Sequence, residues 1–228
     1  MKTDLSKKNN LADTAEPGRS KGQLSRDAIL LAAAKLATTK GLDGLSIGEL
    51  AAEVGMSKSG LYAHFKSKED LELATIETAA EIFDREVLQP ANKAPSGARQ
   101  LRALVGSYLA HLERRVFPGG CFFVAVGTEL DTRPGLARDR VVDVQRQWLS
   151  VLRKCFLDAQ AAGEIDPAAD VAQAVFETQA MLLAANFLFL MTNDPAPLTQ
   201  ARRGAENVLA RLSARPKSSK KRSARAKR

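Results

Sequence analysis

The sequence predicts an all-α protein, with a small three-helix unit at the N-terminal end and a larger helical bundle after it. Three observations carry that expectation. No alternating apolar and polar stretch of strand length occurs, and β-branched residues are scattered. Apolar residues instead recur at helical spacing between Pro and Gly punctuation, enough for about nine helices. Within this pattern Ser46–Phe65, SIGELAAEVGMSKSGLYAHF, reads as two short helices joined by a tight turn.

The elements follow in order. Residues 1–24 are polar and charged, have no apolar segment of the signal-peptide kind, and are expected to be a disordered arm. Ser25 is the expected cap of helix 1, which shows Ile29, Ala33, Leu36 and Ala37 on one face and stops at Gly41. Ser46 and Glu49 form a capping-box pattern for helix 2, with Ile47, Leu50, Ala51 and Val54 on one face. Gly55 is suited to end it, since glycine enters the left-handed conformation without steric cost. Ser57 caps helix 3, anchored by Leu61 and Phe65, and Lys58, Ser59, Tyr62 and His64 make its other face. An apolar back and a polar, partly cationic front suit a helix lying in the major groove.

Ser67 caps helix 4, expected to run to about Leu88, with a loop over residues 90–97. Helix 5 carries Leu101, Leu104, Val105, Tyr108 and Leu112. A short helix 6 spans about residues 121–130, and helix 7 carries Val144, Trp148, Leu152 and Cys155 up to Gly163. Asp166-Pro167 is the expected start of helix 8, and Ala201, Ala205, Val208 and Leu209 mark helix 9. Residues 180–191 are apolar almost all round, broken by Asn186, so that stretch must be covered on every side. It is shorter than the roughly 18–20 residues of a membrane span, and a buried helix is expected.

The net charge of +8 is unevenly spread. Residues 215–228 hold eight Lys or Arg and no acid, residues 1–68 carry a net +4, and residues 69–214 a net −4. Positive ends favour a polyanionic partner there. The terminal run serves either as a disordered solubilising tail or as one that adds non-specific DNA affinity. Two cysteines in no motif suit a reduced, cytoplasmic compartment. Two histidines and two cysteines give no metal-ligand spacing, and no nucleophile elbow, phosphate loop or dinucleotide fingerprint occurs. The composition therefore speaks against an enzyme, and no cofactor is expected.

The run Gly60–Leu71, GLYAHFKSKEDL, resembles the end of the recognition helix and the start of the fourth helix in the tetracycline-repressor (TetR) family of transcriptional regulators. The resemblance covers Ser25 to Leu71, and the rest is similar in helix count and length. It implies a homodimer reading a palindromic duplex operator, most simply a repressor released by a small apolar or amphipathic effector. It implies a DNA-binding unit over residues 25–68 and a sensing and dimerising unit over 69–214. Helices 8 and 9, about residues 167–213, would pair with those of a second subunit. By position, Tyr62, His64 and Lys68 would contact phosphates and Lys58 and Ser59 base edges, behind the Ser57 cap. Ser46 and Ile47 would approach the backbone. Gly48 departs from the family, which often has a larger polar residue there.

In the second unit the aromatic residues, Phe83, Tyr108, Phe122 and Trp148 among them, pack as core individually and suggest an apolar cavity collectively. Tyr108 and Asn186 are its candidate polar groups. His111 reads as a surface or core-edge residue and Cys121 as a buried, inert thiol. The competing reading is a helical interaction or scaffold protein whose helix-turn-helix does not read DNA.

Overall fold

A computed structural model describes residues 20–213, so residues 1–19 of the arm expected over 1–24 and the basic tail over 215–228 lie outside the described residues, while residues 20–24 are not an arm but the capped start of the first helix. Nine helices are present among them, and no strand. They are α1 (Lys21–Lys40), α2 (Ile47–Glu53), α3 (Lys58–Tyr62), α4 (Lys68–Phe83), α5 (Ala98–Glu113), α6 (Phe122–Leu130), α7 (Leu136–Ala161), α8 (Val171–Thr192) and α9 (Ala196–Leu212).

Several boundaries differ from expectation, each for a local reason. Helix α1 starts at Lys21, not after Ser25, because Ser20 and Gln23 cap each other's backbone N–H reciprocally. Ser25 has Ala28 at the equivalent third position, which cannot reciprocate, and its hydroxyl bonds the carbonyl of Lys21 instead. Helix α4 does not end near Leu88. It continues through a wide π-helical turn, Asp84–Leu88, into a last helical turn, Gln89–Asn92. A proline ring collides with the carbonyl four residues earlier in regular α-helix, and the widened turn lies just upstream of Pro90. Helix α8 begins at Val171, capped by Asp170 through the Gln173 N–H, while Asp166-Pro167 forms a turn before it.

The core is continuous from α1 to α9. Helix α1 packs on α4 and α6, α7 on α4, α5, α6 and α8, and α9 on α5 and α8. Gly204 lets α9 approach α8 closely, since a Cβ there would meet the Met181 sulfur. The apolar helix α8 is not covered on every side as expected. Phe176, Leu183, Phe187, Leu188 and Met191 are exposed along it. At 22 residues it also has the length and mean hydropathy of a membrane-crossing helix, which the twelve-residue run alone does not.

Two contacts seat the N-terminal unit on the bundle. The Gly119 N–H donates to the Thr38 hydroxyl at 3.0 Å, at the end of α1. The Glu129 carboxylate, on α6, accepts the N–H groups of Leu42 and Asp43 at 2.7 and 2.9 Å, and Arg133 pairs with Asp43. Gly41 enters this turn at φ 83°, with no room for a Cβ beside Glu129.

Candidate nucleic-acid interface and interior of the bundle

The turn between α2 and α3 is a Schellman motif. Met56 N–H reaches the Ala51 carbonyl, Gly55 N–H reaches Ala52, and Gly55 takes φ 66°. The Ser46 hydroxyl accepts the Glu49 N–H, but Glu49 does not close the expected capping box. Its carboxylate pairs with Lys40 at 2.8 Å, and that hydrogen bond holds it below the usual carboxylate range. The Ser57 hydroxyl accepts the Gly60 N–H and shares a hydrogen bond with Ser59.

Leu50, Leu61 and Phe65 are buried beneath this motif. The opposite side presents Ser46, Ser57, Lys58, Ser59 and Tyr62 to solvent, Tyr62 at 61% exposure, while Ile47 and His64 are half-buried at its edge. Among the expected contact residues, Ser57 stands beside Ser59, and Lys58 reaches the start of α2. The Lys58 side chain lies over Gly48, where a Cβ would stand 3.0 Å from its Cε. Glycine at 48 therefore leaves space that the lysine stem occupies.

Lys68 is more engaged than a free phosphate ligand. Its ammonium donates to the Asp43 carbonyl at 2.9 Å and pairs with Glu72 at 3.6 Å. Lys66, which the sequence reading passed over, is exposed on the same edge and makes no ion pair among the described residues. Arg26 was also missed. Its guanidinium donates to the His64 carbonyl at 2.6 Å and lies 4.5 Å from the Phe65 ring centre, tying the start of α1 to the end of the motif. A cation 38 residues away leaves no local periodicity to find.

Inside the bundle the five expected pocket residues do not gather around one space. Phe83, Tyr108 and Trp148 pack together, with Tyr108 and Trp148 stacked at 5.8 Å and Phe83 edge-on to Trp148 at 5.4 Å. They leave about 20 Å³ between them and their neighbours. Phe122 is buried between Phe117 and Phe123, outside that space. The Asn186 carbonyl oxygen accepts the Cys121 N–H at 2.9 Å, so it fixes the start of α6. Larger hollows flank the cluster: 470 Å³ between α6 and α7, and 370 Å³ between α4 and α7. Cys121 is buried, and burial pushes its thiol up, as it does the Tyr108 hydroxyl beside it.

His111 is not at a surface or core edge. It is 1% exposed, packed edge-on against Phe83 and Phe117, and neither ring nitrogen has a partner among the described residues. Burial, chiefly, pushes its pKa down from 6.5 to about 4. The folded state thus resists protonation that the unfolded chain accepts. Its effect on stability is absent above about pH 6.5. As pH falls from there towards 4, stability drops, by about 3 kcal/mol in full. Denaturant titrations at pH 7 and pH 4.5 should show His111→Phe losing less stability over that interval than the unmodified protein. Equal losses would show that this imidazole does not set the acid response.

Helix-turn-helix geometry, an exposed polar front and a helical second unit together define a DNA-binding regulator class, and comparisons with known proteins agree. Residues 29–75 match the family described as bacterial regulatory proteins, tetR family, and residues 97–205 match the tetracyclin repressor-like C-terminal domain. The chain belongs to the TetR family of transcriptional regulators, which are DNA-binding proteins and not enzymes. Among its relatives is the transcriptional regulator AcuR of Cereibacter sphaeroides, 27% identical over 154 residues, or 65% of this chain and 70% of AcuR. A TetR transcriptional regulator from Chloroflexus aurantiacus superposes with a TM-score of 0.79 at 27% identity, over 85% of this chain and 98% of its own. The structure of AibR in complex with isovaleryl coenzyme A and operator DNA shares the fold, with a TM-score of 0.63 at 24% identity over 83% and 98% of the two chains.

Proposed function

We propose that this regulator is a cytoplasmic homodimeric repressor that leaves a palindromic operator when a small apolar or amphipathic effector binds its helical unit. The observation that carries the DNA-reading part is the front of α3: solvated Lys58, Ser59 and Tyr62 over buried Leu61 and Phe65. A scaffold protein would have no task for that face. Lys58 and Ser59 reach base edges. Tyr62, His64 and Lys68 hold phosphates, with Ser46, Ile47 and the Ser57 cap close to the backbone. Lys68 then has its ammonium shared between Asp43 and the DNA. The DNA-binding unit is the one expected over residues 25–68, its first helix starting earlier at Lys21, and residues 69–214 sense and dimerise. The exposed apolar side of α8 supports pairing through α8 and α9. The AibR structure holds isovaleryl coenzyme A and operator DNA in one complex, which supports a fold able to take both a small organic ligand and DNA. Effector and operator then weaken each other's binding by the same factor.

The test is a binding series on duplex DNA selected from genomic fragments, with salt varied. Affinity should fall steeply from low to moderate salt. Tyr62→Phe and Lys68→Ala should weaken binding to every sequence alike, because phosphate contacts position without specifying. Lys58→Ala should relax preference at one or two base positions, by about 1–3 kcal/mol of discrimination. If Lys58→Ala kept the preference while Lys68→Ala changed it, these roles would be wrong.

A further inference from the structure

We infer that the hollow between α6 and α7 is the effector site and that it takes an amphipathic organic anion; this rests on the regulator reading above. The space enclosed by Phe83, Tyr108 and Trp148 holds only about 20 Å³, and the 370 Å³ hollow that Phe83 and Trp148 border between α4 and α7 is lined by Glu77, Glu81 and Asp84 against Arg140, a setting that disfavours an anion. The α6–α7 hollow has 470 Å³, within the range of about 300–1,000 Å³ usual for ligand pockets. Its walls are apolar, made by Phe123, Val124, Leu130, Val141, Leu149 and Leu183. Two guanidiniums, Arg138 and Arg146, line it against one acid, Asp131. Both arginines are held only by weak surface contacts. Arg138 stands 3.8 Å from Asp139 and 3.4 Å from the Asp131 carbonyl, and Arg146 stands 3.3 Å from Asp143. Arg146 and Leu149 also border a neighbouring hollow of 370 Å³ whose edge carries Arg153, a cation with no ion pair among the described residues. An apolar trough with a surplus of cations along one helix fits a hydrocarbon tail and an anionic head.

The same hollow sits against the contact that seats the DNA-binding unit. Leu130 and Asp131 in its wall directly follow Glu129, which holds Leu42 and Asp43, and Arg133 is the partner of Asp43. Four residues after Leu42, Ser46 caps α2. A tail wedged between α6 and α7 pushes on the stretch that grips the α1–α2 turn, and so bears on the angle at which α2 and α3 are presented.

The test titrates decanoate and decanol, both below micelle formation, into the intact protein without DNA. The sole tryptophan, Trp148, beside Leu149, reports occupancy by its fluorescence. Decanoate should bind and decanol about tenfold more weakly. Combined R138Q and R146Q should bring decanoate down to the level of decanol. Gly127→Leu should block both, because a Cβ at 127 points at Val141 across the hollow, 3.8 Å from its side chain. Binding of neither probe, equal binding of both, or decanoate binding untouched by Gly127→Leu overturns the site. A separate titration of selected operator DNA with saturating decanoate tests the regulator reading. Weaker operator binding, lost on Glu129→Gln while decanoate still binds, supports both. Unchanged operator binding despite occupied sites overturns the effector role alone.

Discussion

Combined F187E and M191E substitutions should turn the protein into monomers and abolish operator binding. Phe187 and Met191 are 60% and 70% exposed on α8, in line with Phe176 at 68% and with Leu183, which is 38% exposed at the edge of the hollow. Successive members lie seven, four and four residues apart, so they form one stripe along the helix. Contiguous apolar surface of this kind is what the proposed dimer would cover. Under twofold symmetry each glutamate meets the partner's copy of the same surface, so four carboxylates enter an apolar contact without counter-charges. Each costs several kcal/mol, more than a dimer of micromolar affinity can offset. A monomer then offers one recognition helix, where a palindrome needs two spaced about 34–36 Å apart or a multiple of that. Light scattering should give twice 24.6 kDa for the unmodified protein and 24.6 kDa for the variant. A monodisperse 24.6 kDa species before any substitution would sink the idea.

Gly119→Ala is the second large effect. A Cβ at 119 would fall on the Thr38 carbonyl oxygen, nearer than any side chain can stand to a backbone atom. Neither side can give way cheaply. Thr38 is in the last turn of α1, and the chain around Gly119 is held by the Thr38 hydroxyl and, two residues on, by Asn186. The expected loss is about 3 kcal/mol or more. Thr38→Val keeps the packing and removes the hydroxyl's two hydrogen bonds, one accepted from the Gly119 N–H and one donated to the Lys35 carbonyl, and should cost about 1–2 kcal/mol. Denaturant melts of the pair separate the two. A Gly119→Ala protein within about half a kcal/mol of the original would show that this contact yields. By contrast Gly204 faces the flexible Met181, so Gly204→Ala should be milder despite a similarly short approach.

Much of the recognition motif was legible because its signals are local. Ser46, Ser57 and Ser67 each accept an N–H three residues on, and Gly55 takes the left-handed conformation expected of it. Leu61 and Phe65 are buried as their spacing required. Where two local signals compete, neighbouring residues alone do not decide the helix start. Ser20 and Ser25 are both good caps, and only the reciprocating Gln23 distinguishes them. Asp166 and Asp170 compete at α8 in the same way.

What the sequence by itself determined is the all-α class, the order of nine helices, the two-helix motif and the polar front of α3. These depend on neighbours within about four positions, where side-chain spacing and capping chemistry decide the backbone. Only the tertiary structure decided which distant groups share a space. It brought Arg26 under Phe65, Glu129 to Leu42 and Asp43, and Asn186 to the start of α6, each 39 to 87 residues away in sequence. It buried His111 with both nitrogens unpaired, though its helix reads as amphipathic. It also packed Phe83, Tyr108 and Trp148 together and left open volume between α6 and α7 and between α4 and α7. Cavities and long-range pairs come from how finished helices pack, and packing depends on the summed shapes of many side chains, which no short window of sequence contains.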